Sequence, residues 1–326
     1  MAPLLSVKDL RTYFYRTEGV VKAVDGISYT IERGESLGIV GESGSGKSVS
    51  VLSLLRLLRK NARIESGEAI FDGRDLLQLQ TEELRQIRGK EISLIFQDPM
   101  TSLNPTFRVG RQMMEPPLWH RLFKAQESKG RAIQLLHRVG IPEHKSRFRD
   151  YPFQFSGGMR QRVMIAMALT CEPKLIIADE PTTALDVTVR SQILNLMQEM
   201  KDEFGMSIIM ITHDFSMASN FCDKLMVMYA GKVMESAPTI EFLAHCFHPY
   251  SQGLLGSTLD IDASDIRLNP IPGSPPSLLN PPPGCRFHPR CKKRQPICSL
   301  EIPELRQVGE NHWVACHIVK GGLANA

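Results

Sequence analysis

Apolar and polar positions change period several times along this chain. Short apolar runs stand at residues 20–24, 36–40, 92–96, 175–178 and 207–211. Each is rich in β-branched or aliphatic residues, and several are bounded by glycine, which predicts strands. A helical period replaces them over residues 48–59, where Val51, Leu54, Leu55 and Leu58 share one face, and again over 128–139 and 187–204. From Asp98 to about Ala166 the text is helical and interrupted by proline, with Met113, Met114 and Trp119, and predicts an inserted helical subdomain. Strands alternating with helices predict an α/β fold with a parallel sheet covered on both faces.

The pattern shifts after about Ser236. Residues 269–283 carry seven prolines, Pro270 to Pro283, and predict an extended strap rather than a core element. No internal repeat is present. Composition adds bounds: 326 residues, 42% apolar and 23% charged, give a soluble globular profile with room for two or three structural units. A net charge of +4 is too mild to imply a nucleic-acid binder, and no nucleic-acid partner is expected. The N-terminus lacks the layout of a signal peptide, and the apolar stretches at 163–169 and 206–211 are far shorter than a membrane span. The expected place is the cytosol, with any membrane reached through partners.

Candidate chemistry lies at the ends of the predicted strands. Gly41-Glu42-Ser43-Gly44-Ser45-Gly46-Lys47-Ser48 matches the phosphate-loop pattern at every fixed position, between an apolar strand and an amphipathic helix. Its glycines let backbone N–H groups turn inward around phosphates, Lys47 supplies a point charge at the β- and γ-phosphates, and the Ser48 hydroxyl is a Mg²⁺ ligand. The helix that starts here adds its positive dipole end. Asp179 and Glu180 end the run 175–178: Asp179 is read as holding Mg²⁺ through water and Glu180 as the general base for the attacking water. Gln97 follows another strand and precedes the helical segment, so its amide can reach Mg²⁺ or the lytic water and report the γ-phosphate to that lobe. Ser156-Gly157-Gly158 stands before an apolar helix and makes a second anion site. A second cradle implies a second nucleotide, hence two chains sandwiching two ATP molecules, each capped by the other chain. Tyr13-Phe14-Tyr15 offers flat rings for adenine, with Phe14 favoured and Tyr15 the alternative.

These elements resemble, in order, the ATP-binding-cassette (ABC) ATPases. The resemblance runs through residues 41–48, Gln97, Phe155 to Met159, Asp179-Glu180, Ala184-Leu185-Asp186 and His213. It implies a P-loop NTPase (RecA-like) core with an ABC β-subdomain, and it adds Asp186 to the nucleotide contacts and His213 as the switch histidine at the γ-phosphate. The implied division is 1–97 with 166–235 as nucleotide-binding core, 98–165 as helical signature subdomain and 236–326 as C-terminal extension. Finer text is similar to the dipeptide/oligopeptide importer branch: residues 96–105, residues 178–187, His248-Pro249-Tyr250 and the Pro-rich, Cys-containing extension. Phe155 and Met159 replace the Leu and Gln of the general signature. The family implies a second ABC ATPase subunit, identical or different, two membrane permeases, and an external peptide-binding protein, with this chain peripheral on the cytoplasmic face. Met100, Leu103, Phe107, Met113 and Met114 are candidates for the groove that receives a permease helix. Nickel, another small solute or antimicrobial peptides are alternative cargoes, and a soluble non-transport ABC ATPase is the alternative from another class.

Seven cysteines divide into three scattered ones, Cys171, Cys222 and Cys246, expected as buried thiols, and a C-terminal quartet. The quartet is spaced Cys285-x5-Cys291-x6-Cys298-x17-Cys316. It lacks the close pairs usual for zinc and suits a larger [4Fe–4S] cluster, with zinc or free thiols as alternatives; the family resemblance points to the cluster. Arg286, Arg290, Lys292, Lys293 and Arg294 lie among them and are expected to offset its negative charge.

Overall fold

A computed structural model describes residues 2–182, 186–257 and 271–319. The chain begins with β1 (Leu5–Arg16), β2 (Gly19–Ile31), β3 (Ser36–Val40), α1 (Lys47–Leu54), β4 (Ala62–Phe71) and β5 (Arg74–Asp75). Then come α2 (Thr81–Ile87), β6 (Ile92–Ile95), α3 (Pro99–Ser102), α4 (Val109–Trp119), α5 (Ala125–Arg138), α6 (His144–Arg147) and α7 (Gly157–Ala168). They are followed by β7 (Leu175–Asp179), α8 (Val187–Phe204), β8 (Ser207–Thr212), α9 (Phe215–Phe221), β9 (Lys224–Tyr229) and β10 (Lys232–Pro238). The C-terminal part adds α10 (Thr239–Ala244), α11 (Pro249–Gly256), β11 (Arg306–Gly309) and β12 (His312–Val314).

Two compact units result, one from residues 1–78 with 211–326, the other from residues 79–210. In the first, β1 and β2 form a long antiparallel hairpin extended by β4 and β5, in the order β2-β1-β4-β5. Its strands alternate in burial, as a sheet with one wet face does. A second set runs β11-β12-β10-β9-β3. Within it β3 and β9 pair in parallel and read as continuous apolar runs, because both faces are covered. β12 then adds antiparallel to β10 and closes that edge with the C-terminal segment. Residues 271–283 take no regular secondary structure, and the Leu278 carbonyl accepts from the Lys22 N–H (3.2 Å), laying the strap on β2.

In the second unit β6 and β7 pair in parallel, and α7 is buried nearly all round, with Gln161, Val163, Met164, Ile165 and Ala166 inside. Two boundaries differ from the periodic reading. The helix expected over 48–59 stops at Leu54, since Arg56 takes a left-handed φ of 48° and the Leu57 N–H turns back to the Leu52 carbonyl (2.9 Å). The strand expected over 92–96 ends at Ile95, leaving Phe96 49% exposed. Among the described residues no helix is long and apolar enough to cross a membrane.

Candidate functional site

In the first unit, fully buried β3 delivers the chain to Gly41, and the loop closes at Gly46, the N-cap of α1. Glycine is required at both ends by close approach. A Cβ on Gly41 would stand 2.1 Å from the Met228 carbonyl oxygen, and one on Gly46, at φ 101°, 2.2 Å from that of Ala23. The Lys47 ammonium is buried and donates to the carbonyls of Gly41 (2.7 Å) and Glu42 (3.0 Å), which curls the loop around it. No side chain caps the first turn of α1 and no acidic residue stands there, so its N–H groups face an anion unopposed. The Ser45 hydroxyl is buried with no hydrogen-bond partner among the described residues, a polar atom suited to a phosphate oxygen. From behind, the Gly231 N–H donates to the Ser45 carbonyl (2.8 Å) and the Asp25 N–H to the Gly231 carbonyl (2.9 Å). Ser43 and Gly44 lie at the exposed tip and Ser48 is half-buried in the first turn.

His213, exposed, follows β8; Asp214 after it caps α9 by accepting from the Met217 N–H (2.9 Å). Of the three aromatics on β1, Tyr13 donates to Asp25 (2.7 Å), while Tyr15 donates to Glu65 (2.8 Å) beneath the Arg63 guanidinium. Phe14 is half-buried between them.

In the second unit, buried β7 ends at Asp179, and Glu180 follows in the left-handed region at φ 47°. A non-glycine residue held there is strained, and such strain collects at working sites. The Gln97 amide donates to the Glu180 carboxylate (2.8 Å), so two residues singled out separately in the sequence share one bond. Asp98, next in line, caps α3 by accepting from the Met100 N–H (2.8 Å). Ser156 is the N-cap of α7 and accepts from the Met159 N–H (3.3 Å). A Cβ on Gly157 would meet nothing within 4 Å, whereas one on Gly158 would meet Val189 Cγ1 at 2.9 Å. The first glycine therefore keeps the helix entrance open, and the second lets α7 lie close to α8. Phe155 is buried, so the ring in place of the family's leucine fills core, and Met159 is half-buried. Asp186 caps α8, its carboxylate accepting from the Val189 N–H (2.9 Å). Ala184 and Leu185 lie outside the described residues, as does Pro270.

Of the groove candidates, Leu103 and Met113 are core residues at 1% and 0% exposure and line no groove. Met100 is exposed, and Phe107 and Met114 join Leu118, Trp119 and Phe148 along a depression of about 810 Å³.

The quartet cysteines are free thiols, three of them buried and Cys291 half-buried. Burial pushes Cys285 up to about 11, helped by Cys316, Cys298 and Cys291, and burial with Cys316 and Cys298 raises Cys291. Among the described residues no three Cys, His, Asp or Glu side chains could hold a single metal ion. The charges among them are also placed differently from the sequence reading. Arg286 pairs with Asp25, Arg290 with Glu42 (2.6 Å), and the Lys293 ammonium donates to Gln252 (3.1 Å). These groups answer to other partners. Glu42, Asp25 and the two arginines were not legible as a set, because they are far apart in the chain. The three scattered cysteines are buried or half-buried, as expected.

A family model described as ABC transporter matches residues 24–183, and one for the oligopeptide/dipeptide transporter C-terminal region matches residues 234–298. The chain is 50% identical to the oligopeptide transport ATP-binding protein OppD of Escherichia coli strain K12, over 96% of this chain and 92% of that one. The chain belongs to the ABC transporter ATP-binding family. Within that family it is also 48% identical to the dipeptide transport ATP-binding protein DppD of Lactococcus lactis, covering 95% of this chain and 89% of the relative. A solved dimeric ABC cassette, MJ0796 bound to ADP and Pi, superposes with a TM-score of 0.65 at 28% identity, over 72% of this chain and 98% of that one. The cassette fold is therefore that of a P-loop ABC ATPase.

Proposed function

We infer that this ABC protein binds and hydrolyses ATP to drive an importer of dipeptides or oligopeptides. The observation that carries the reading is the glycine loop, with a buried Lys47, an unpartnered Ser45 hydroxyl and an uncapped helix entrance. The kinship to peptide transport ATP-binding proteins over nearly the whole chain supports the cargo class. In this reading the loop N–H groups and Lys47 bind the triphosphate. Ser48, Gln97 and Asp179 hold Mg²⁺, which when bound neutralises charge on the β- and γ-oxygens. Glu180 takes the proton of the attacking water, Gln97 orients its carboxylate, and His213 contacts the γ-phosphate. Ser156, Gly157 and Gly158 cap the nucleotide of a second ATPase subunit, and Asp186 lies at that interface. Phe14, with Tyr15 as alternative, stacks on adenine. The core, helical subdomain and extension divide as 1–97 with 166–235, 98–165 and 236–326. The subunit works peripherally on the cytoplasmic face beneath two permeases, with an external binding protein delivering peptide, and the Phe107–Phe148 depression takes a permease helix. Reconstitution with neighbouring permeases and binding protein is expected to give peptide-stimulated ATP hydrolysis; stimulation by nickel and not by peptide would move the cargo assignment.

We further propose a [4Fe–4S] cluster held by Cys285, Cys291, Cys298 and Cys316, a reading that rests on the spacing of the four cysteines in the C-terminal segment. Anaerobically purified protein is expected to be brown with about four irons per chain; a colourless, iron-free protein of full activity would end this reading.

A further inference from the structure

Two arginines from the cysteine segment reach the back of the phosphate loop. Arg290 meets Glu42, the second residue of that loop, through both nitrogens of its fork, at 2.6 and 3.0 Å. The same guanidinium donates to the Tyr229 hydroxyl (3.2 Å) and to the carbonyls of Pro272 (2.8 Å) and Ile271 (3.3 Å). The Arg290 side chain is only 6% exposed and that of Glu42 27%, so the cation is buried and satisfied while the carboxylate keeps partial contact with solvent.

Glu42 is fixed at three points. Its N–H donates to the Tyr250 hydroxyl (3.0 Å), its carbonyl accepts from Lys47 (3.0 Å), and its carboxylate accepts from Arg290. Tyr229, Tyr250 and Phe287 pack as a trio with centroids 4.6 to 5.3 Å apart, which sets the wall behind these bonds. Arg286 acts through a parallel route. It donates to Asp25 and to the Ala230 carbonyl, and Asp25 and Gly231 carry the brace by backbone bonds to Ser45. Both arginines lie between Cys285 and Cys291 in the chain.

Tail anchoring alone does not account for this. The tail is already tied by β12 on β10, by the buried His312–Glu235 pair (2.9 Å) and by Arg306 on the Cys316 carbonyl (2.9 Å). A carboxylate inside a polyphosphate-binding loop opposes its ligand unless a cation neutralises it. We propose that Arg290 and Arg286 are positioning residues for ATP binding: Arg290 neutralises Glu42, and Arg286, joining Arg11 and Lys232 at Asp25, braces the loop from behind in the shape its inward N–H groups require. The C-terminal cysteine segment is then part of the frame of the nucleotide site. This rests on residues 41–48 being the ATP loop.

The test is equilibrium binding of Mg-ATP to the full chain, with melting curves on the same samples. Arg290→Gln is expected to raise the Kd about 5- to 50-fold, within the range of ordinary coupling between sites. In turnover the loss falls on KM for ATP more than on kcat. Adding Glu42→Gln removes the stranded carboxylate, so the double variant recovers much of the affinity. Arg306→Gln serves as control: it loosens the tail and lowers the melting temperature while the Kd stays put. An unchanged Kd in Arg290→Gln, a double variant as weak as the single one, or an equal loss in Arg306→Gln would each overturn the proposal. Wild-type protein that binds no ATP would instead sink the reading of the loop itself.

Discussion

The proposed role of Glu180 as general base is open to a direct test. The residue's backbone is held at φ 47° and its carboxylate accepts from Gln97 at 2.8 Å, which fixes the carboxylate's orientation. Glu180→Gln keeps the shape and removes the basicity. The expected outcome is ATP affinity near wild type with phosphate release slowed about 10²- to 10⁴-fold, the usual worth of a general base. Phosphate release at the wild-type rate would remove Glu180 from that role. At this scale the sequence was readable wherever position is written locally. The phosphate loop, Gln97 and Glu180 each stand at a strand end, where a short pattern is enough. Arg290 and Glu42 were not readable, since they are 248 positions apart and nothing in the local text of either points to the other.

Elements were legible where their ends carry standard punctuation. α8 stops at Gly205 and α5 at Val139-Gly140, each glycine left-handed at the position where a helix chain reverses. α1 makes the same reversal with Arg56 in the glycine's place, so the helix looked a turn longer than it is. α11 shows a different device. His248 caps it, Nδ1 accepting from the Tyr250 N–H (3.0 Å), which demands an unprotonated ring. Burial lowers the His248 imidazole to about 4, with Glu235 opposing the shift. The unfolded chain, with histidine near 6.5, therefore binds the extra proton first as pH falls. Stability from this group is complete above about 6.5 and drains between about 6.5 and 4, by roughly 3 kcal/mol in all. Urea unfolding is expected to shift to lower midpoints from pH 7 to pH 5, and His248→Asn, which keeps an acceptor, is expected to flatten that slope. A slope unaltered by the substitution would assign the pH response elsewhere.

For the molecule as a whole, the open entrance of α7 needs a partner to give it purpose. Gly157 would tolerate a Cβ without contact, yet stands beside a serine N-cap suited to phosphate. If a second subunit's ATP fills that place, Glu180→Gln with Mg-ATP is expected to run as a dimer in size-exclusion chromatography and as a monomer with ADP. A monomer under both nucleotides, with binding intact, would count against a self-paired sandwich and favour a different ATPase as partner. The fold class was legible at this scale because buried parallel strands write themselves as apolar runs. The union of residues 1–78 with 211–326 was not, because it depends on which distant segments cover one another.

That union also sets an order of events during synthesis. The loop of residues 41–48 leaves the ribosome early, while Phe287 and Arg290 emerge nearly 250 positions later. At about 5–20 residues per second the gap is about 12–50 s. Through that interval the nascent chain carries a complete glycine loop whose rear wall has not yet been made. Maturation of the nucleotide site is thus timed by a segment made nearly 250 positions after the loop, and a chain cut short before Phe287 would carry the loop without its brace.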